Sequence, residues 1–374
     1  MSLTALVCHK TPVRERLAVD FPRPKLRLKA ELRVPSVAPN RPLLGTAYDY
    51  LFRFHLLRAI PFAVARSWVA ERAHKQISAY GDAGILVWTG KDVLASGEIR
   101  DRMSQIIRRA QRLLAAFVAG EPLSTSLIRS AINLAHCDPY YRAGRIDERF
   151  GQPLPAQVIE LGRLIEATDC SQFRAERLCL LNPTFGEGSK LIGGADADLL
   201  LDDMLIDVKT TATLKIRTED WRQLIGYAAL NEHFPIGGGE QPVPIRRVGF
   251  YFSRHGYLAS WPLTELVDEV KFAAFAAWLR NYVTETHARR VARRAQFEQE
   301  MAEWRAQEER REQRERAHRA KRRKRTKARP RSKVKAKKKA PTRSECKQAI
   351  ALAVRQPRCF AKGKFWDESL TLRT

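Results

Sequence analysis

The sequence lacks the features that would place it in a membrane or in a disulfide-stabilised class. No apolar run approaches the ~18–20 residues that cross a bilayer, and basic residues follow the short apolar start instead of preceding it as in a secretory signal. The six cysteines are scattered, with no CxxC and no paired Cys/His spacing, which argues against a zinc site. We therefore expect a cytoplasmic protein without a membrane partner, associated with the nucleoid if the source is bacterial or phage.

Acidic residues are scarce near the C-terminus. The formal net charge of the 374 residues is +26, and residues 319–343 contain 15 Lys/Arg and no Asp/Glu. Such a segment neutralises phosphates and releases counterions, which predicts nucleic-acid binding with little sequence preference. The alternative is a solvated tail with a role in solubility or localisation. The residues assigned to nucleic-acid binding are Lys321, Arg322, Arg323, Lys324, Arg325, Lys337, Lys338 and Lys339.

Helical periodicity dominates the first half of the chain. The apolar stripe in residues 99–120 predicts an amphipathic helix that Gly120 ends. A helix over 62–81 is predicted to begin after Pro61 and to end at Gly81. Further helices are predicted at 43–60, 123–136 and 155–167.

Short apolar runs replace this periodicity from residue 176 and predict a sheet. Strands are expected at 176–182, in a hairpin over 192–211, at 246–254 and at 256–263, with helices at 218–234 and 263–283. The predicted organisation is a basic, Pro-containing arm (1–40), a main domain (41–284, with a helical part 43–167 and a sheet core 176–283), a charged exposed helix (285–318), a disordered basic tail (319–343) and a segment of undetermined order (344–374).

The hairpin carries the strongest functional signal. Two apolar triplets, Leu199–Leu201 and Met204–Ile206, flank two aspartates that tolerate turn conformations. In a two-residue turn, positions whose numbers sum to 405 face one another. Asp198 then lies opposite Asp207, and Asp196 lies opposite Lys209. An odd-length turn would break this register.

Opposed carboxylates in this hairpin predict a cation site. Asp207 and Lys209 share one face because side chains alternate along a strand. Directly opposed side chains have Cβ atoms about 4.5–5.5 Å apart, and like charges there destabilise a sheet. A hard divalent cation such as Mg²⁺ or Mn²⁺ would satisfy both acids. The simpler interpretation is a solvated turn followed by an edge strand with ordinary charges.

Three sequence pieces together resemble the PD-(D/E)XK nuclease superfamily, in particular its RecB-like branch. GADADLLL resembles the strand with the first metal-binding acid, and IDVKT resembles the (D/E)-x-K strand. QLIGY resembles the Q-x-x-x-Y helix motif, with Gln223 and Tyr227 one helical turn apart. An early helix of the family carries G-x-x-x-H. Here Gly45 fits that motif, but Asp49 stands where histidine is usual.

This resemblance implies an α/β (α+β) fold, a restriction-endonuclease-like mixed sheet flanked by helices with a large helical insertion. It implies a Mg²⁺- or Mn²⁺-dependent nuclease that hydrolyses phosphodiester bonds, with DNA as the expected substrate. The implied catalytic residues are Asp198, Asp207, Lys209, Gln223 and Tyr227. The implied metal ligands are Asp198, Asp207, the Val208 carbonyl and Asp49.

Two other classes of function remain open from the sequence. One is a nucleic-acid-binding protein with a nuclease fold and a lapsed site, and the other is an interaction protein that acts through its charged C-terminal helix. Glu160 and Glu166 precede the sheet core, and either could add an acid to the site, although solvation at the surface is the expectation for both. His136, His233 and His255 are isolated and receive no role.

Overall fold

The computed structural model describes residues 2–79, 86–88, 93–147 and 149–327. The chain divides into two units, Met1–Glu285 and Thr286–Thr374. The first unit begins with α1 (Leu3–Cys8), α2 (Pro12–Asp20), α3 (Arg41–Ala59), β1 (Val64–Ala65), α4 (Val69–Ser78), β2 (Leu86–Trp88), β3 (Val93–Ala95), α5 (Ser96–Val118), α6 (Thr125–Ala143) and α7 (Pro155–Glu166). It continues with β4 (Cys179–Leu181), α8 (Gly186–Ile192), β5 (Leu199–Leu201), β6 (Met204–Lys209), α9 (Thr218–Asn231), β7 (Arg247–Phe252) and β8 (Tyr257–Pro262). The last helix, α10 (Glu269–Lys327), begins in the first unit and ends in the second.

The helix expected over 62–81 begins later than predicted. Residues 64–65 form β1, and α4 starts only at Val69. The side chain of Glu71 accepts a hydrogen bond from the Trp68 backbone N–H at 2.9 Å, which caps the helix at that residue. Pro61 therefore precedes an extended connection and not the first helical turn.

Six strands form one mixed sheet in the order β1-β4-β5-β6-β7-β8. The β1/β4 and β6/β7 pairs are parallel, and the other neighbours are antiparallel. Helix α9 connects the parallel strands β6 and β7, as such a connection requires. The predicted mixed sheet flanked by helices is confirmed.

The hairpin has the predicted register. Leu199 pairs with Ile206, and Leu201 pairs with Met204, so that paired positions sum to 405. Asp202 adopts a left-handed conformation with φ of 48°, which aspartate tolerates better than most residues. Its carboxylate also accepts hydrogen bonds from the backbone N–H groups of residues 176–178, at 2.8–2.9 Å. Asp202 therefore fixes both the turn and the entry into β4.

Apolar side chains cover both faces of the sheet. Leu199 and Ile206 face a cluster built mainly from α3 to α7, whereas Leu200 and Leu205 face a cluster built from α1, α2, α9 and the start of α10. This alternation follows from the period of two along a strand. Helices α3 to α7 on one face, and α1, α2, α9 and the start of α10 on the other, thus form two layers around one sheet.

The predicted N-terminal arm (1–40) contains α1 and α2, and the apolar side chains of these helices belong to the second cluster. Leu3, Val7, Val13 and Leu17 are completely buried. A Cβ at Gly226 of α9 would lie 3.2 Å from the Leu3 side chain, so the glycine permits close packing of α1. These short helices depend on burial against α9 and not on a long periodic pattern.

The charged region in 285–318 is helical and largely exposed, and the helix continues to Lys327. Residues 319–327 are thus helical where the sequence predicts disorder, because Arg, Lys and Ala are strong helix formers. Lys321 is exposed. Residues 328–343, including Lys337, Lys338 and Lys339, and residues 344–374 lie outside the described residues. No described helix combines the length and apolarity that a membrane crossing needs.

Candidate active site

The hairpin brings the predicted acids to one place. Asp198 directly precedes β5, and its Oδ2 accepts a hydrogen bond from the Val208 backbone N–H at 2.7 Å. The Asp198 backbone carbonyl accepts from the N–H of Asn182, which holds this residue beside the strand-β4 end. The Asp198 carboxylate is therefore fixed against β6, next to Asp207.

Lys209 joins β6 to α9 through two buried carboxylates. Its Nζ lies 2.7 Å from Asp207 Oδ2 and 3.1 Å from Asp220 Oδ1. Each of the two aspartates is 4% exposed. Apart from the ammonium, Asp207 Oδ2 has no polar partner among the described residues. Asp220 is held in turn by Arg217, whose Nη2 lies 3.0 Å from Asp220 Oδ1.

The sequence analysis missed Asp220 as a member of the site. Helix α9, predicted to begin at 218, is capped by Arg217, whose backbone N–H donates to Asp220 at 3.1 Å. The signal was present in the spacing. Asp220, Gln223 and Tyr227 follow one another at three and four residues, which places them on one helical face.

Burial and neighbouring charges shift the pKa values of the two central acids and of Lys209. Burial and the negative charges of Asp207 and Asp49 raise the pKa of Asp198 to about 8. Burial also raises the pKa of Asp207, although the ammonium of Lys209 opposes it. Burial alone would lower the pKa of Lys209, but the neighbouring carboxylates raise it, so this lysine stays cationic. Among the described residues, Asp198 has no ion pair of its own.

Gln223 and Tyr227 also reach the site. The Gln223 side-chain amide donates to the Tyr227 hydroxyl at 2.7 Å and to Thr4 Oγ1 at 3.3 Å. Tyr227 stacks on Phe185 with ring centroids 5.4 Å apart. Burial raises the pKa of Tyr227, and the charges of the central aspartates act in the same direction. The tyrosine therefore remains a neutral phenol near those carboxylates.

Helix α3 presents Asp49 to the same region, but in an ion pair. Asp49 Oδ2 lies 2.6 Å from Arg53 Nη2, and the buried Arg53 guanidinium lies 4.7 Å from the Tyr50 ring centroid. The charge of Asp49 nevertheless raises the pKa of Asp198. In the part of the chain that the structure describes, no group of three or more His, Cys, Asp or Glu residues is arranged to hold a metal. The ligand role of Asp49 stays a prediction.

Two acids have partners other than those expected. Asp196, predicted to face Lys209, bridges to Thr184, and its Oδ1 lies 3.7 Å from Arg66 Nη1. Its partner differs because β5 begins only at Leu199, and residue 196, before the strand, bridges to the segment that follows β4.

Glu160, expected at the surface, is 1% exposed and pairs with Arg254 at 2.5 Å. It also accepts from the backbone N–H groups of residues 37 and 38, so it supports the fold and not the site. Glu166 is exposed, as expected.

Comparisons with known proteins return no family. No family model matches the chain, and neither the curated proteins nor the solved structures include a significant match. Any assignment of function must therefore rest on the motif and on the geometry of this site.

Proposed function

We propose that this protein is a divalent-metal-dependent nuclease that hydrolyses phosphodiester bonds at the Asp198–Asp207–Lys209 site. The observation that carries the proposal is the meeting of a half-buried acid, a buried acid and a lysine at adjoining strands of a mixed sheet. Burial of such groups is costly unless they are paired or serve a function. Their order along the chain also resembles the PD-(D/E)XK motif.

The donor set suits a hard divalent cation. Among the described residues Asp198 has no ion pair, and the charge of Asp207 raises its pKa, so a cation held between the two acids would relieve their repulsion. Their oxygens and the Val208 carbonyl are the ligands that would hold Mg²⁺ or Mn²⁺. Such an ion, when bound, supplies charge neutralisation and a lowered pKa for a coordinated water.

Lys209 would act on the phosphate itself. Its ammonium is positioned from two sides, by Asp207 on β6 and by Asp220 on α9. A cation fixed in this way stabilises developing negative charge without first reorganising. Asp220 and Arg217 are then positioning residues, since they act through the lysine.

The pair on α9 would orient the substrate or the attacking water. The Tyr227 hydroxyl oxygen accepts from Gln223, so its own O–H is free to donate. That proton can be given to water or to a phosphate oxygen. Phe185 holds the ring in place by stacking. The site can therefore offer one cationic and one neutral donor to a phosphodiester.

DNA is the proposed substrate, on the strength of the motif resemblance. The basic residues beyond 318 would add non-specific affinity for it. Two alternatives predict other outcomes. A lapsed nuclease fold would bind DNA without metal-dependent cleavage. If the protein instead acts through α10, removal of residues 285–374 would abolish binding to its protein partner but would leave DNA binding intact.

Metal binding without nucleic acid tests the site independently of turnover. We expect Mn²⁺ to bind the wild-type protein, and Asp198→Asn and Asp207→Asn each to weaken binding at least about tenfold, because each removes a charged ligand. Calorimetry in buffers of different ionisation enthalpy should also detect proton release, since Asp198 must give up a proton. The control is Asp203→Asn in the same turn. Equal Mn²⁺ affinity in all four proteins would refute the proposed ligands.

A further inference from the structure

Residues 23–33, the basic ribbon, run between α2 and α3 outside any helix or strand, and their exposure alternates from residue 24 to residue 30. They contain five Lys/Arg and one Glu. Leu26 and Leu28 pack against the core cluster on the α9 side of the sheet, whereas Lys25, Arg27 and Lys29 are exposed. Because exposure alternates along this segment, the three cations form a row on its solvent-facing side.

Both ends of the basic ribbon are anchored to the loop that follows Lys209. At one end, Arg23 Nη1 donates to the Ile216 carbonyl at 3.2 Å. At the other end, the backbone N–H groups of residues 33 and 34 donate to the Arg254 carbonyl at 2.9 and 3.0 Å. Arg254 Nε donates in turn to the Thr210 carbonyl at 3.4 Å. The row of cations is therefore tied to the residues directly after the candidate catalytic lysine.

Exposed cations surround the loop that follows Lys209, whereas the acids of the site are less accessible to solvent. The loop adds exposed Lys215 and Arg217 to the cations of the basic ribbon. Of the acids of the site, Asp207 and Asp220 are buried and Asp198 is half-buried. A phosphodiester gains nothing from those carboxylates alone, so its binding energy must come from cations at the rim.

We propose that the basic ribbon binds the sugar–phosphate backbone of the nucleic-acid strand that enters the site. The inference rests on the proposed function, since it gives that site its substrate-binding surface. A linear row of cations matches a linear polyanion. An anionic membrane fits less well, because membrane-binding segments insert apolar side chains, and the two leucines between these cations face the core.

The test is the salt dependence of nucleic-acid binding by the full-length protein in EDTA, where cleavage cannot interfere. Lys25, Arg27 and Lys29 are changed together to Gln, and fluorescence anisotropy follows a labelled single-stranded oligonucleotide. We expect weaker binding at low salt. The slope of log affinity against log salt should shrink by about 2, because each lost phosphate contact contributes about 0.7.

A matched control removes the same charge elsewhere. Arg108, Arg109 and Arg112 are exposed on α5, and their combined change to Gln should leave the slope nearly unaltered. An equal decrease in both triple variants would overturn the inference, since it would show a response to net charge alone. The inference would also be overturned if the basic-ribbon variant lost binding to phosphatidylcholine–phosphatidylserine vesicles but still bound the oligonucleotide like the wild-type protein.

Binding and catalysis can fail separately in this design. An unchanged slope in the basic-ribbon variant overturns the inference even if the wild-type protein cuts DNA. A smaller slope in that variant supports the inference, and if the wild-type protein then cuts no nucleic acid with Mn²⁺, the result refutes the nuclease and not the binding surface.

Discussion

Replacement of Lys209 by alanine is expected to reduce single-turnover cleavage by about 10²–10³-fold, the usual cost of removing one fixed donor to a transition state. The variant loses the cation that lies 2.7 Å from Asp207 and 3.1 Å from Asp220. Single-turnover conditions isolate the chemical step from substrate binding and product release. The DNA affinity should change far less, because exposed basic residues supply most of it.

Lys215→Ala is the matched control for this variant. Lys215 is exposed in the loop that follows Lys209, so its loss removes the same charge from the same region. We expect a modest effect on binding and little on the bound-state rate. Thermal melting of both variants establishes that the comparison concerns folded protein. Cleavage by Lys209→Ala at the wild-type rate would contradict the assigned role.

Asp198→Asn is expected to stabilise the metal-free protein by about 1–3 kcal/mol near pH 7.5. The asparagine amide keeps an oxygen that can accept the 2.7 Å hydrogen bond from the Val208 backbone N–H. The substitution removes the negative charge that Asp198 would carry beside Asp207. A site that lowers the stability of the metal-free fold while serving a ligand is a common compromise at functional positions. Urea denaturation in EDTA measures the difference.

The pH dependence of that difference has a definite sign. In the unfolded chain Asp198 ionises near its ordinary pKa, about 3.9, whereas in the fold it holds its proton up to a pKa of about 8. Between those values the unfolded state binds fewer protons, so wild-type stability falls as pH rises. The advantage of Asp198→Asn should therefore grow from about pH 5 to pH 8. A variant less stable than wild type near pH 7.5, or a constant difference, would contradict the burial of this charge.

The hairpin was predictable because its sequence leaves a single consistent register. Two apolar triplets separated by two turn-forming aspartates must pair with one another, since a slip by one residue would move every side chain to the opposite face. The same reasoning placed Asp198 beside Asp207. It failed for Asp196, because pairing beyond Leu199 depends on the neighbouring strand and not on the turn.

Other contacts, in the fold and near the site, join residues that no local pattern records as partners. Glu160 and Arg254 are 94 residues apart in sequence, and their burial follows only from the packing of α7 against the β7–β8 connection. Likewise, Thr4 contacts Gln223 because α1 packs on α9. Charged residues in such positions resemble surface residues until the fold brings their partners to them.

Single-turnover cleavage of end-labelled DNA, single- and double-stranded, tests the central claim most directly. Wild-type protein and the Asp198→Asn/Asp207→Asn double variant would be purified identically and assayed with Mg²⁺, Mn²⁺ or EDTA. The site predicts cleavage by the wild-type protein with either metal, none in EDTA, and none by the double variant under any condition. Metal-independent cleavage, or equal cleavage by the two proteins, would contradict a metal-dependent nuclease site at Asp198 and Asp207.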